Sequence, residues 1–191
     1  LVTYGKKVKF TTNVNPNKAK NKTISYTVVG VDTNGNRTLS MDELKTKGIS
    51  IKNGVLTVSK KCTYTGYVRV ISSLDYRVYR GKTAIPVTSN KLIYIQPAAT
   101  KVEITNEAGE VIKSVTCAAG ETMLLHEKVT ATGTLTYANV SWSVSDSKIA
   151  SVTSDGCVSI SPGVKKGKKV KVTATALDGT KKKAVITITV K

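Results

Sequence analysis

The chain has little of what most enzymes use. Its 191 residues hold one histidine, one tryptophan, one phenylalanine, three cysteines and four prolines. A serine or cysteine nucleophile needs a base within reach, and the one imidazole, His126, falls in a stretch with strand periodicity, where packing accounts for it. Cys62, Cys117 and Cys157 are too few and too widely spaced for a disulfide scaffold or a zinc site; three unpaired thiols or a single internal disulfide both stay open. Only twelve residues are acidic, and the cluster Glu103, Glu107 and Glu110 sits beside a turn, not as two carboxylates facing across a cleft. There is no glycine-rich phosphate loop. These scarcities exclude the common catalytic constellations, so we expect no catalytic residues, no cofactor and no enzyme. No apolar run is long enough to span a bilayer as a helix, and the amino terminus lacks a signal-peptide pattern. The chain opens in mid-pattern at Leu1-Val2 and reads as a fragment whose targeting and anchoring segments lie elsewhere.

Charge is abundant in one sign. Thirty Lys and Arg against twelve Asp and Glu give a net charge of +18. Residues 1–96 carry 17 basic and 4 acidic side chains, net +13, and residues 97–191 carry 13 and 8, net +5. Such an excess draws polyanions, among them anionic cell-wall polymers and acidic glycans. The runs Lys165-Lys166, Lys168-Lys169 and Lys181-Lys182-Lys183 fall in turns or at strand ends, where lysine protects sheet edges. They lack the interleaved aromatics on which single-stranded nucleic acid stacks, which argues against nucleic acid as the partner.

Valine, threonine, isoleucine and serine dominate the rest, in period-two patterns that predict an all-β chain. KKVKFTT, TISYTVVGV, GYVRVIS and VKVTATA each alternate apolar and polar residues. Asn53-Gly54, between two such runs, is a strong two-residue hairpin signal, and Asp178-Gly179 predicts another. Residues 139–160, NVSWSVSDSKIASVTSDGCVSI, hold Trp142 in an alternating strand followed by a turn ending in Asp155-Gly156, the arrangement of a core aromatic in a small sandwich. Gln96-Pro97-Ala98-Ala99 reads as a linker.

Two stretches invite a binding role. Asp32, Asn34, Asn36, Thr38, Ser40 and Glu43 occupy positions 1, 3, 5, 7, 9 and 12 of a calcium-loop pattern, but Arg37 stands where such a loop needs its turning glycine, and no helix precedes it. The same residues predict a turn at Asn34-Gly35-Asn36 and a capping box, Ser40 to Glu43, opening a short helix closed at Gly48. In the first half, Tyr76 and Tyr79 accompany Arg69, Arg77 and Arg80, residue types favoured at interfaces.

The chain also repeats itself. Gly5 corresponds to Gly120, ISYTV at 24–28 to VSWSV at 140–144, residues 53–58 to 155–160, and Val68-Arg69-Val70 to Val170-Lys171-Val172. Tyr26 stands where the second copy has Trp142, so both are expected core aromatics. The first copy is longer between them, with an insertion at about 29–48 that contains the calcium-like stretch. Two domains follow, 1–96 and 97–191.

GETMLLHEKVTATGTLTYANVSWSVSDSKIASVTSDGCVSI followed by KVKVTATALDGTKKKAVITITV resembles a bacterial immunoglobulin-like domain of group 2, through W-S-x-S-D, I-A-x-V, D-G-x-V and V-x-V-T-A-T. The resemblance covers residues from about 100 to 191; the first domain follows it more loosely, and its first strand is expected to be truncated. It implies two tandem immunoglobulin-like β-sandwiches from an extracellular or cell-surface bacterial protein. Such modules serve as spacers or stalks and in cell adhesion, with wall polymers, glycans or host surface proteins as partners. The alternative is a carbohydrate-binding accessory domain of a surface hydrolase.

Overall fold

The computed structural model describes residues 1–14, 23–80 and 83–191, with the side chains of 75–80 and 83–86 outside that description. The chain divides into two compact units, Leu1–Pro97 and Ala98–Lys191.

In the first unit β1 (Val2–Thr3), β8 (Thr83–Gln96), β7 (Gly66–Arg80), β3 (Ile24–Val31) and β4 (Arg37–Leu39) form one sheet in that order. A second sheet runs β2 (Lys7–Lys9), β6 (Val55–Val58), β5 (Ile49–Lys52). Their inner faces supply one core: Val28, Val68, Val70, Ile93 and Ile95 from the first sheet meet Ile49, Leu56 and Val58 from the second. Strand alternation is what sorts these residues, since every second side chain points inward. Asn53 and Gly54 both take positive φ, 49° and 74°, and close the predicted two-residue hairpin with Lys52 paired to Val55.

The second unit joins β10 (Ser114–Cys117), β17 (Lys183–Val190), β16 (Lys169–Ala176) and β13 (Val140–Val144) in one sheet. It sets β11 (Thr122–Leu124), β15 (Cys157–Ile160) and β14 (Ala150–Val152) in another, while β9 (Ala99–Thr105) pairs with β12 (His126–Ala131). Between β11 and β12 the chain breaks at Leu125, which turns wholly into the core. The Asp178-Gly179 hairpin is corrected: β16 and β17 are joined through residues 177–182, and the reversal carries Lys181 at φ 60°. The reason is the Asp178 carboxylate. Its Oδ1 accepts from the Thr180 N–H at 2.9 Å and hydroxyl at 2.6 Å, and its Oδ2 accepts from the Ala99 N–H at 2.7 Å, fastening the start of β9.

One arrangement recurs in both units and ties their sheets together. Trp142, on the four-stranded sheet, lays its indole over Gly156, in the β14–β15 turn of the opposite sheet; a methyl group on that glycine would stand 3.2 Å from Cε2 and Cζ2 and would overlap the Leu125 carbonyl oxygen. The Gly156 carbonyl in turn accepts from the Leu125 N–H at 3.0 Å. In the first unit Tyr26 lies over Gly54 in the same way, a methyl there standing 3.1 Å from its Cζ and 2.8 Å from the Phe10 carbonyl oxygen, and Gly54 O accepts from the Phe10 N–H at 2.7 Å. Both rings are half-buried and not sealed inside the core, because each stands at the edge where one sheet's turn reaches the other sheet.

Both Gly156 (φ 87°) and Gly109 (φ 79°) have backbones that L side chains resist, but a methyl on Gly109 meets nothing. Gly109→Ala is therefore expected to cost only the conformational penalty of about 1–2 kcal/mol. Gly156→Ala adds a clash with backbone and ring, for a loss of about 3 kcal/mol or more by denaturant unfolding followed through Trp142 fluorescence. Equal losses at the two sites would contradict the pin.

Candidate functional site

The insertion at 29–48 folds as a strand extension, a turn and a helix. Val29, Gly30 and Val31 continue β3, and β4 folds back on it with Gly30 opposite Leu39 and Val31 opposite Arg37. The calcium-like residues are thereby distributed over a turn, a strand and a helix cap. Asp32 Oδ1 accepts from the backbone N–H of Asn34 at 2.9 Å and of Asn36 at 2.8 Å, and its Oδ2 from the Asn36 side-chain amide at 3.1 Å. Arg69 completes the turn by donating to the Gly35 carbonyl at 3.0 Å. Ser40 caps α1 (Met41–Thr46): its N–H donates to Glu43 Oε2 at 2.7 Å, its hydroxyl to the same oxygen at 2.7 Å, and its Oγ accepts from the Glu43 N–H. Leu44 then anchors the helix in the core.

Both carboxylates are thus engaged by local donors, which hold Asp32 and Glu43 below the ordinary carboxylate range, the first mainly through the Asn36 N–H and the second mainly through the Ser40 N–H. Asp32, Asn34, Asn36, Thr38, Ser40 and Glu43 thus fold as an Asx-type turn, a short strand and a capping box: alternating short polar residues satisfy both this pattern and that of a calcium loop, and the helix cap engages the acid at the position that would close a metal loop. Among the described residues no group of three or more His, Cys, Asp or Glu is placed to hold a metal ion.

Of the Tyr/Arg group, Arg69 is half-buried and serves as the clamp on the 32–36 turn. Tyr76, Tyr79, Arg77 and Arg80 lie on the distal part of the β7–β8 ribbon, and their side chains fall outside the described residues. The backbone of that ribbon shows what the repeat comparison missed. β3 pairs with β7 as far as Leu74, while β7 and β8 go on pairing to Arg80 and Thr83 after a bulge between Leu74 and Arg77. The matching strands of the second unit, β16 and β17, have eight residues each against fifteen and fourteen. A second length difference therefore sits here. Its signal is that Tyr67 opposite Tyr94 matches Lys169 opposite Thr189, so the last strands align only after the hairpin is shortened.

The remaining candidates are dispersed. His126 is exposed at the start of β12. Cys62 and Cys117 are buried, Cys157 is half-buried, and all three are free thiols; burial pushes the first two above the usual thiol range. Lys165, Lys166 and Lys168 precede β16, whereas Lys181, Lys182 and Lys183 follow its far end, so about 26 Å of strand separates the two exposed runs. No helix among the described residues is long and apolar enough to cross a membrane.

Residues 98–187 match the family model of the bacterial Ig-like domain (group 2). None of the curated proteins matches the chain by sequence. Among solved structures, a C-terminal 282-residue fragment of intimin, in complex with the intimin-binding domain of its translocated receptor, is 17% identical with a TM-score of 0.36, over 89% of this chain and 52% of that one. Invasin, a bacterial integrin-binding protein, is 16% identical with a TM-score of 0.36, over 90% of this chain and 32% of that one. Murine CEACAM1b is 10% identical with a TM-score of 0.41, over 100% and 94%. The chain thus spans about half of the intimin fragment and about a third of invasin.

Two outcomes follow from the engaged carboxylates. Because the folded-state values of Asp32 and Glu43 are depressed, their contribution is present above the unfolded carboxylate range near pH 4 and is lost as pH falls below it. An Asp32→Asn, Glu43→Gln variant should lose less stability than the parent chain between about pH 5 and about pH 2 in thermal melts. Calcium at millimolar concentration is expected to leave the parent melting temperature unchanged, and a rise abolished by Asp32→Asn would contradict the turn-and-cap description.

Proposed function

Residues 98–187 form a bacterial Ig-like domain of group 2, and from that premise we propose that the chain is a non-catalytic, load-bearing spacer within a bacterial cell-surface protein. The observation that carries this reading is the parallel pairing of each unit's last strand with a strand from its amino-terminal part, β1 in the first unit and β10, which follows β9, in the second. β10 and β17 run parallel over four residue pairs, Ser114 with Thr187 to Cys117 with Val190, and β1 and β8 run parallel over two, Val2 with Ile95 and Thr3 with Gln96. In a parallel pair, tension on the beginning of one strand and the end of the other pulls them in opposite directions along their own axes. The connecting hydrogen bonds are then loaded together in shear, where a hairpin pulled at its open end would yield one bond at a time.

The linker supports the same reading. β8 ends at Gln96 and β9 begins at Ala99, so only Pro97 and Ala98 lie between the last strand of one unit and the first of the next. In its surface setting the basic first unit, net +13 over residues 1–96, suits contact with anionic wall polymers. The sugar-binding alternative depends on Tyr76 and Tyr79, whose side chains lie outside the described residues.

Single-molecule stretching of the full chain tests the proposal. Lys113 O and Cys117 O accept from the N–H groups of Thr187 and Lys191, both at 3.1 Å, so the odd-numbered residues of β10 face β17. Val115→Pro removes a donor from that side, and Thr116→Pro removes one that faces away. The parent chain should unfold in two separate events, and Val115→Pro should lower the force of one of them well below that of Thr116→Pro. Unfolding at negligible force, or equal effects of the two prolines, would overturn the spacer reading.

A further inference from the structure

The outer faces of the two large sheets, which contribute nothing to their own cores, differ sharply in chemistry. In the first unit the burial alternation turns Val28, Val68, Val70, Ile93 and Ile95 inward, leaving Val29, Tyr67, Arg69, Ile71, Leu92 and Tyr94 on the outer side of β3, β7 and β8. These six are contiguous across the sheet: Arg69 stands between Val29 and Leu92, and Tyr67 directly opposite Tyr94. The two tyrosine rings meet edge to face with centroids 4.8 Å apart, and Leu92 is 49% exposed. At the corresponding positions of the second unit stand Ser145, Lys169, Lys171, Thr173, Thr187 and Thr189, an ordinary solvated face. An identical backbone plan thus tolerates hydroxyls and lysines there, so nothing in the fold demands the aliphatic and aromatic residues. Tyr and Arg, half-buried beside the exposed Leu92 on one open sheet face, are residue types enriched at protein interfaces.

Charge selects the kind of partner. β3, β4 and β8 carry no Asp or Glu and β7 carries one, Asp75, beyond the stretch that pairs with β3, while Arg37 and Lys91 are exposed on the strands that carry or flank the face. A second copy would bring together two units that are each net +13 over residues 1–96, and like charges oppose that pairing. We propose that the outer β3-β7-β8 face of the first unit is a docking surface for an acidic polypeptide that presents apolar side chains to Ile71, Leu92 and the Tyr67–Tyr94 pair. This goes beyond the spacer reading, which stands on the parallel strand pairs and is unaffected if the face binds nothing.

The test pans a random peptide library displayed on phage against the full chain, and in parallel against a variant in which the face takes the residues of the second unit, Ile71→Thr, Leu92→Thr and Tyr94→Thr. The peptides selected on the parent should combine Asp or Glu with apolar residues. As free peptides they should bind more weakly as salt rises and lose about tenfold or more in affinity on the variant. Leu92→Thr alone, at a half-exposed position, gives the same readout if the triple variant does not fold. Selected peptides without acidic residues, or peptides that bind parent and variant equally, would overturn the proposal. So would self-association of the parent chain in sedimentation that the variant abolishes, since the occupant would then be a second copy.

Discussion

A ring from one sheet lying on a glycine from the other is the contact on which each unit depends. Sheets pack face to face only if something sets their separation and stagger. Here the turn glycine does so, because its missing side chain lets the ring approach from one side and a backbone carbonyl from the other. The same glycine carbonyl accepts a backbone N–H from the strand that crosses the edge, Phe10 in the first unit and Leu125 in the second. One residue therefore couples an aromatic contact, a left-handed backbone and an inter-strand hydrogen bond. With three free thiols and no disulfide, this contact does the bridging that a covalent link would otherwise do.

Around that shared centre the copies are free to differ, and they do so at the periphery. The first unit lengthens β3, adds a turn and a capped helix, extends the β7–β8 ribbon, and replaces a solvated sheet face with an apolar one. The second unit keeps a lysine-bordered, hydroxyl-rich face and a longer parallel pairing of its last strand, with β10. The two proposed roles divide along the same line: the spacer reading rests on the parallel strand pairs that both units have, and the proposed docking surface on the face that only the first unit has.

Much of the fold was legible in the sequence because period-two alternation and turn chemistry are local. The Asn53-Gly54 hairpin and the Ser40–Glu43 cap depend on neighbouring residues alone, and both form. Elsewhere, local pattern was ambiguous. Alternating Asp, Asn, Thr and Ser from 32 to 40 satisfies a calcium loop and an Asx turn equally, and the turn and cap are seen only in the hydrogen bonds to Asp32 and Glu43. Asp178-Gly179 looks like a two-residue hairpin until Asp178 is seen to hold the Ala99 N–H, a partner 79 positions away. The apolar outer face was hidden for a related reason: Tyr67, Ile71 and Leu92 read as ordinary strand residues, and their side of the sheet follows only from the cross-strand register.

Native-state hydrogen exchange at the Leu125 and Phe10 amides tests the central contact most directly, in the parent chain and in Trp142→Ala. Both amides should exchange only with global unfolding of their own unit, although each lies at a strand break, and Trp142→Ala should strip protection from Leu125 while leaving Phe10 unchanged. Exchange of Leu125 in the parent at the rate of an open loop, or equal loss at both amides in the variant, would contradict it.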